Sequence, residues 1–376
     1  MTAPASRAGR RALAAAAWLA LLGVTAARAT AQQPSRVDEA ADVLARLVES
    51  YGVSGHEAPV RDAVLHLLPA WAHPTVDTAG NVVVRAGTGA PLVVFVAHLD
   101  EIGFIVTAVR DDGRLDVRPA GGFFPSLFEA EPALVHTARG VVPAVLAPRD
   151  SAGGPPRRAP APGTVKVDPG TGSRAATEAL GIAVGDAVTM PKAFARLAGT
   201  RATGRSMDDR VGCAAQLLAL RRLDPRRLRH AVAFVFSVRE EIGLEGAKAA
   251  AAELAPEHPA RVHAIDTFVS ADAPLEIKTF ADASLGGGAV VRAVDNSSVT
   301  PPAQVDSVLA LARAARIPLV AGTTNGGNDG SVFTTWGVSD VALGWPLRYA
   351  HSPAEVIDLV DVVALAGVIQ TIAEKW

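Results

Sequence analysis

The stretch Ala231–Gly246 constrains this chain most. Ala231-Val232-Ala233-Phe234-Val235-Phe236 is an unbroken apolar run rich in β-branched and aromatic residues, and Ser237-Val238-Arg239-Glu240-Glu241-Ile242-Gly243-Leu244-Glu245-Gly246 follows it directly. A run without a polar face fits a strand buried on both sides, as central strands of α/β sheets are. Sites in such open sheets lie beyond the carboxyl ends of the strands, where the doublet Glu240-Glu241 falls. Adjacent carboxylates in an irregular turn can point in different directions, which lets one bind a metal while the other handles a proton.

The rest of the chain repeats this grammar. Val37–Glu49 and Pro59–Leu68 read as helices, and Val76–Val84 as strand, Gly-Asn turn and strand. Leu92–Ala97 is a second buried-strand pattern, delivering His98-Leu99-Asp100-Glu101, and Phe104–Val109 with Arg114–Arg118 suggests a hairpin. From Pro119 to Pro191 short Val-rich pieces alternate with Gly/Pro clusters, and Ser151–Pro162 reads as a loop. The α/β pattern returns with helix Cys213–Arg222 behind Met207-Asp208-Asp209, then helix Ala247–Leu254 and strand Val262–Asp266. Ala303–Ala315 and Val360–Ile372 are further helices, and Pro318–Ala321 and Val338–Leu343 further strands. The expected fold is α/β, a mixed sheet flanked by helices with an inserted small β-rich domain. The expected division is 1–31 leader, 32–118 first catalytic part, 119–195 insertion and 196–376 second catalytic part.

The leader differs from the rest in composition. Arg7, Arg10 and Arg11 precede the apolar run Ala12–Ala27, and Ala29-Thr30-Ala31 offers a small-x-small cleavage site, the pattern of a secretory signal peptide. Its loss removes four arginines and no acid, taking the formal charge from −2 to −6. The expectation is an exported protein, periplasmic or extracellular, without a membrane span in the mature chain. A nucleic-acid partner is excluded, because no basic footprint remains. Cys213, the single cysteine, rules out an internal disulfide and reads as a buried thiol.

Beyond the doublet, His98 and His351 follow strand patterns, and Asp208 and Asp266 hold comparable positions. Each alone has a plain explanation in capping or turns, and Asp208 and Asp209 read equally well as helix caps. His56, His66 and His73 lack partners at ligand spacing. Together, two imidazoles and three carboxylates form the nitrogen and oxygen donor set of a paired metal site, with zinc first and cobalt or manganese as alternatives.

Four motifs then carry a resemblance: Ala97-His98-Leu99-Asp100-Glu101-Ile102-Gly103-Phe104, Met207-Asp208-Asp209-Arg210-Val211-Gly212, Arg239-Glu240-Glu241-Ile242-Gly243-Leu244-Glu245-Gly246-Ala247 and Arg348-Tyr349-Ala350-His351-Ser352-Pro353. In this order the chain resembles the tetrahedral and glutamyl aminopeptidase family of di-metal exopeptidases, over most of residues 37–376. The resemblance implies that Asp208 bridges two divalent ions, with His98 and Asp266 completing one site and Glu241 and His351 the other. It implies Glu240 as general base and Asp100 as the residue orienting His98. Asp272 competes with Asp266, which is preferred because it directly ends a strand pattern and matches the family's Val-Asp as Ile265-Asp266. Where the family carries Gly-Gly-Thr-Asp, this chain has Gly326-Gly327-Asn328-Asp329, so contacts from that loop to substrate are expected to differ.

The implied reaction is removal of the first residue of a peptide. Two cations lower the pKa of a shared water, Glu240 takes its proton, and the proton passes to the departing amine. The ligand set alone would also suit a di-metal carboxypeptidase or amide deacylase, or a metal-stabilised binding protein. Peptides are the expected partners, with homo-oligomerisation implied by the resemblance.

Overall fold

The computed structural model describes residues 36–148, 165–274 and 283–376. The expected leader 1–31 and the loop 151–162 lie outside the described residues. A nine-stranded mixed sheet forms the main body, in the order Thr75–Val76, Val82–Ala86, Ala231–Ser237, Leu92–His98, Arg261–Val269, Leu343–Leu347, Ala289–Val294 and Leu319–Thr323, with Ser339–Asp340 beside Arg261–Val269. The four strands from Ala231–Ser237 to Leu343–Leu347 are mutually parallel, so their carboxyl ends emerge at one edge.

The unbroken apolar runs follow from burial on both faces. Phe95, Ala97, Phe234 and Phe236 point into one layer, where they meet Leu44 and Leu47 of helix 36–48, Leu217 of Met207–Arg222 and Ile369 of Leu359–Lys375. Val94, Val96, Ala233 and Val235 point the other way, against Ala250 and Leu254 of helix Glu245–Leu254 and against Phe333. Phe95 and Phe234 stack across adjacent strands with ring centroids 5.1 Å apart. Neither face can be polar, so periodicity gives way to a continuous run.

Among the described residues six further strands close into a barrel: Gly103–Val109, Leu115–Ala120, Lys166–Asp168, Gly140–Leu146, Pro132–Thr137 and Ala187–Thr189. Its own core includes Phe104, Val117, Phe128, Val135 and Val188. The sequence boundary at 119 falls inside this barrel, because the hairpin Gly103–Ala120 supplies two of its strands. Two other expectations shift. The strand Arg261–Val269 runs past Asp266, so this acid lies within a strand, and Val338–Leu343 divides into Ser339–Asp340 and the start of Leu343–Leu347.

A buried ion cluster joins barrel to sheet. The Glu101 carboxylate accepts from Lys192 Nζ at 2.8 Å, Arg205 Nη2 at 2.6 Å, the amide of Gly52 at 2.8 Å and the Ser206 hydroxyl, with Arg210 Nη2 at 3.6 Å. Burial lowers Lys192 to about 7, against the raising charge of Glu101. A carboxylate this deep persists only when paired and hydrogen-bonded. The pairing fixes the turn after His98 relative to the turn before Asp208.

A small sheet, Ala195–Arg196, Arg201–Gly204 and Glu355–Asp358, crosses the same edge and sets Glu355 opposite Gly204. Among the described residues no helix is long and apolar enough to cross a membrane.

Candidate metal centre

The parallel strands converge on one cluster. His98 is the last residue of its strand and pairs in register with Ser237, three residues before Glu240, while Asp266 pairs with Gly344 on the strand that leads to His351. Asp208 enters from the turn that begins helix Met207–Arg222, where Asp208 and Asp209 depart from helical dihedrals. Their side chains separate. Asp209 accepts from the amides of Gly212 (2.9 Å) and His98 (2.9 Å), which makes it the cap and a brace for His98. Asp208 turns into the cavity.

Asp208 stands between the two histidines, with Oδ1 3.2 Å from His98 Nε2 and Oδ2 3.2 Å from His351 Nε2. Glu241 Oε1 lies 3.2 Å from the same His351 nitrogen. Donor atoms of His98, Asp208 and Asp266 lie within 4.8 Å of one another, and so do those of Asp208, Glu241 and His351. Both rings are oriented from behind. His98 Nδ1 donates to the carbonyl of Asp100 at 3.2 Å, with the Asp100 carboxylate 3.5 Å away, and His351 Nδ1 donates to the carbonyl of Gly122 at 2.6 Å. A neutral ring that donates from Nδ1 turns a lone pair at Nε2 toward carboxylate oxygens. Lone pair facing lone pair is the arrangement a cation resolves, and the buried Glu241 Oε1 accordingly has no hydrogen-bond donor among the described residues. The five side chains therefore fit two divalent ions.

Electrostatics agree with this fit. Burial raises Glu241 and Asp266, against His351 and Arg292 respectively, and it raises Glu240 well above the ordinary carboxylate value, opposed by His98 and supported by Asp266, Glu241 and Asp329. Burial alone would lower His98 and His351; the surrounding carboxylates, Glu240 foremost for His98 and Glu241 for His351, lift both rings above the usual imidazole range. Such a field attracts positive charge. Glu240 Oε2 is 4.0 Å from His98 Nε2, and among the described residues no group donates a hydrogen bond to its carboxylate. Asp100 holds the doublet in place by accepting from the amides of Glu240 (2.9 Å) and Glu241 (3.1 Å), and it takes the Ser54 hydroxyl at 2.6 Å.

Residues 80–367 match the M42 glutamyl aminopeptidase family. The chain belongs to that family. It is thus a metal-dependent aminopeptidase, a hydrolase of peptide bonds. The M42 chain is 31% identical to a lysyl aminopeptidase of Pyrococcus furiosus over 336 residues, which spans 85% of this chain and 93% of that protein. It is 28% identical to a glutamyl aminopeptidase of Lactococcus lactis over 335 residues, 85% and 92% of the two chains. Its fold superposes on the Pyrococcus horikoshii TET1 peptidase with a TM-score of 0.82 at 30% identity, covering 89% of this chain and 99% of that one.

Within the M42 chain, Asp272 lies in an ion pair with Arg348, whose Nε is 3.0 Å away, and Asp266 is the acid that reaches the cluster. Asn328 is buried, donating to Asp295 Oδ2 at 2.7 Å and accepting from the amide of Gly330 at 2.7 Å, while Asp329 takes the Ser237 hydroxyl. Gly326 and Gly327 line the cavity, so the departure at Asn328 bears on the loop's support. His56, His66 and His73 are exposed, and Cys213 is buried with its thiol pushed up by burial.

Two participants were missed by motif reasoning. Glu355 accepts from the amide of His351 through Oε1 (2.8 Å) and from the amide of Met207 through Oε2 (2.6 Å), tying two turns together. Ser206, Arg239, Tyr349 and His351 all have positive φ, a cost of about 1–3 kcal/mol each that such anchoring must offset. Arg292 is buried beside Asp266 at 3.0 Å. Glu355 lies four residues after His351 in a polar turn, but no spacing signal announces that its carboxylate turns inward.

Proposed function

We propose that this M42 protein is a di-metal aminopeptidase in which His98, Asp208 and Asp266 hold one ion and Asp208, Glu241 and His351 the other. The observation that carries the reading is the opposed placement of both imidazole Nε2 atoms on the two oxygens of Asp208. Ions bound there would supply Lewis acidity to the scissile carbonyl and the attacking water. Zinc suits this nitrogen and oxygen donor set first, with cobalt or manganese next.

Glu240 is the general base. Its position 4.0 Å from His98 and its lack of a hydrogen-bond donor among the described residues leave it free to take a proton from water and return it to the departing amine. Asp100 orients His98 and, through the two amides it accepts from, sets the angle between the doublet's side chains.

The experiment is chelation followed by zinc, cobalt or manganese, assayed on peptides with free and acetylated amino termini. The expected result is release of only the first residue from the free-amine set, lost with the metal and regained with it. Cleavage of the acetylated set, or activity indifferent to the chelator, contradicts the proposal.

Glu355→Gln gives a separate prediction. An amide nitrogen cannot accept, so one of the backbone donors of His351 and Met207 loses its partner. Residues that support ligands from behind are worth about 10–100-fold in metal affinity or activity. Titration with zinc should show a loss of about this size, and wild-type affinity would remove Glu355 from the role.

The assembly of the Pyrococcus horikoshii peptidase into a tetrahedron or large octahedral shell supports homo-oligomerisation here. A monomer mass by light scattering contradicts it. The arginine-led apolar leader supports export with Gln32 as the first mature residue, and an intact Met1 on the protein recovered from its host contradicts that.

A further inference from the structure

The cavity that holds the cluster has a volume of about 500 Å³ and extends well beyond the proposed ligands and base. Of the charged residues that line it among the described residues, Arg292 alone is outside that set. Its Nη2 lies 3.0 Å from Asp295 and donates to the carbonyl of Gly327 at 2.8 Å, while Nη1 lies 3.0 Å from Asp266 without a hydrogen bond, so Asp295 matches its charge within the protein. The remaining walls formed by the described residues are neutral. Thr267 and Asn325 are polar, and the face contributed by the barrel is apolar, formed by Phe123, Phe124 and Leu127.

That apolar face is built to stand next to the cluster. Its loop leaves the barrel at Gly121, whose φ is +106° and where a Cβ would lie 2.5 Å from Ile102 and 3.2 Å from Glu241 Oε2. Gly122 then accepts the hydrogen bond from His351, which pins the loop to the metal centre. Phe123 packs edge-on against Phe104 and Phe128, leaving Phe124 and Leu127 projecting at 76% and 48% exposure. Large apolar side chains held in the open beside a polar site mark a surface that a ligand covers.

We propose that Phe124 and Leu127 receive the side chain of the substrate's first residue, and that this enzyme prefers large apolar residues there, leucine or phenylalanine, over acidic or basic ones. In an aminopeptidase only the first residue and its scissile carbonyl reach the cluster, so the neutral walls of the same cavity meet that first side chain. Among the described residues an acidic side chain would find Arg292 alone, whose charge Asp295 already matches, and a basic one no carboxylate outside the proposed ligands and base. The inference rests on the aminopeptidase reading.

The test is kcat/KM of the zinc-loaded protein on the p-nitroanilides of Leu, Phe, Ala, Glu and Lys, which vary only the first residue. Leu and Phe should exceed Ala by about tenfold or more, and Glu and Lys by about 100-fold, the range that a methylene or more in an apolar pocket produces. Leu127→Arg and Phe124→Arg should each lower the Leu:Glu ratio at least about tenfold while two ions remain bound. Faster turnover of Glu or Lys by the wild type overturns the inference and leaves the aminopeptidase reading standing, whereas release from none of the five overturns both. Unchanged ratios in both variants, with or without a change of particle mass, also overturn it.

Discussion

Glu240→Gln is expected to lower kcat by about 10²–10⁴-fold while both metal ions remain bound. The substitution preserves shape and removes the negative charge and with it the ability to accept a proton. Among the described residues no group donates a hydrogen bond to this carboxylate, and it acts on His98, 4.0 Å away at Nε2, through its charge. The backbone amide of Glu240 still donates to Asp100, so Glu241 keeps its place beside His351. Steady-state kinetics with metal analysis on the same sample decide the matter. Wild-type turnover would remove Glu240 from proton transfer, and loss of an ion would make it a ligand.

The largest effect on metal content should come from Asp208→Ala, because Asp208 is the one residue common to both triads. Its two oxygens face different histidines at 3.2 Å, so its removal takes a ligand from each ion and brings two imidazoles into a site without their shared counter-charge. Both ions and all measurable activity are expected to be lost. Asp272→Ala serves as the contrast, since Asp272 is engaged with Arg348 away from the cluster, and both ions should remain. Two ions per chain in the Asp208 variant, by elemental analysis after dialysis, would contradict the bridging role.

The physical origin of each signal explains what could be read from sequence. Ala231–Phe236 and Leu92–Ala97 were legible because a strand covered by helices on both sides must be apolar throughout, and the positions after such strands follow from parallel topology. Thus His98 and the Glu240-Glu241 doublet could be placed at one edge. Asp208 was less distinct from Asp209, because an acid at a helix start has the same local pattern whether it caps or faces a cavity. The long-range contact with His98 separates them, and sequence spacing does not encode that contact. Asp266 sits inside a strand that continues to Val269, so the acid did not mark the strand's end.

The barrel boundary was misplaced for a related reason. A hairpin such as Gly103–Ala120 alternates in the same way whether it joins the main sheet or a separate barrel, and only closure against Ala187–Thr189 and Lys166–Asp168 decides. Glu101 and Glu355 were silent in a different sense. Each is a buried carboxylate with at least one partner far along the chain, Met207 for Glu355 and Lys192 and Arg205 for Glu101, and a single sequence carries no periodicity for such pairings. No sequence pattern marks Phe124 and Leu127, and it is the Gly122–His351 hydrogen bond that places their loop beside the site.

The central claim is that five side chains hold two ions and leave Glu240 beside them as the base. Anomalous diffraction from a zinc-soaked crystal tests it most directly. Two peaks about 3.5–4 Å apart are expected, one among His98, Asp208 and Asp266 and the other among Asp208, Glu241 and His351. A single peak, or a peak bound to Glu240 or Asp272, would contradict the account.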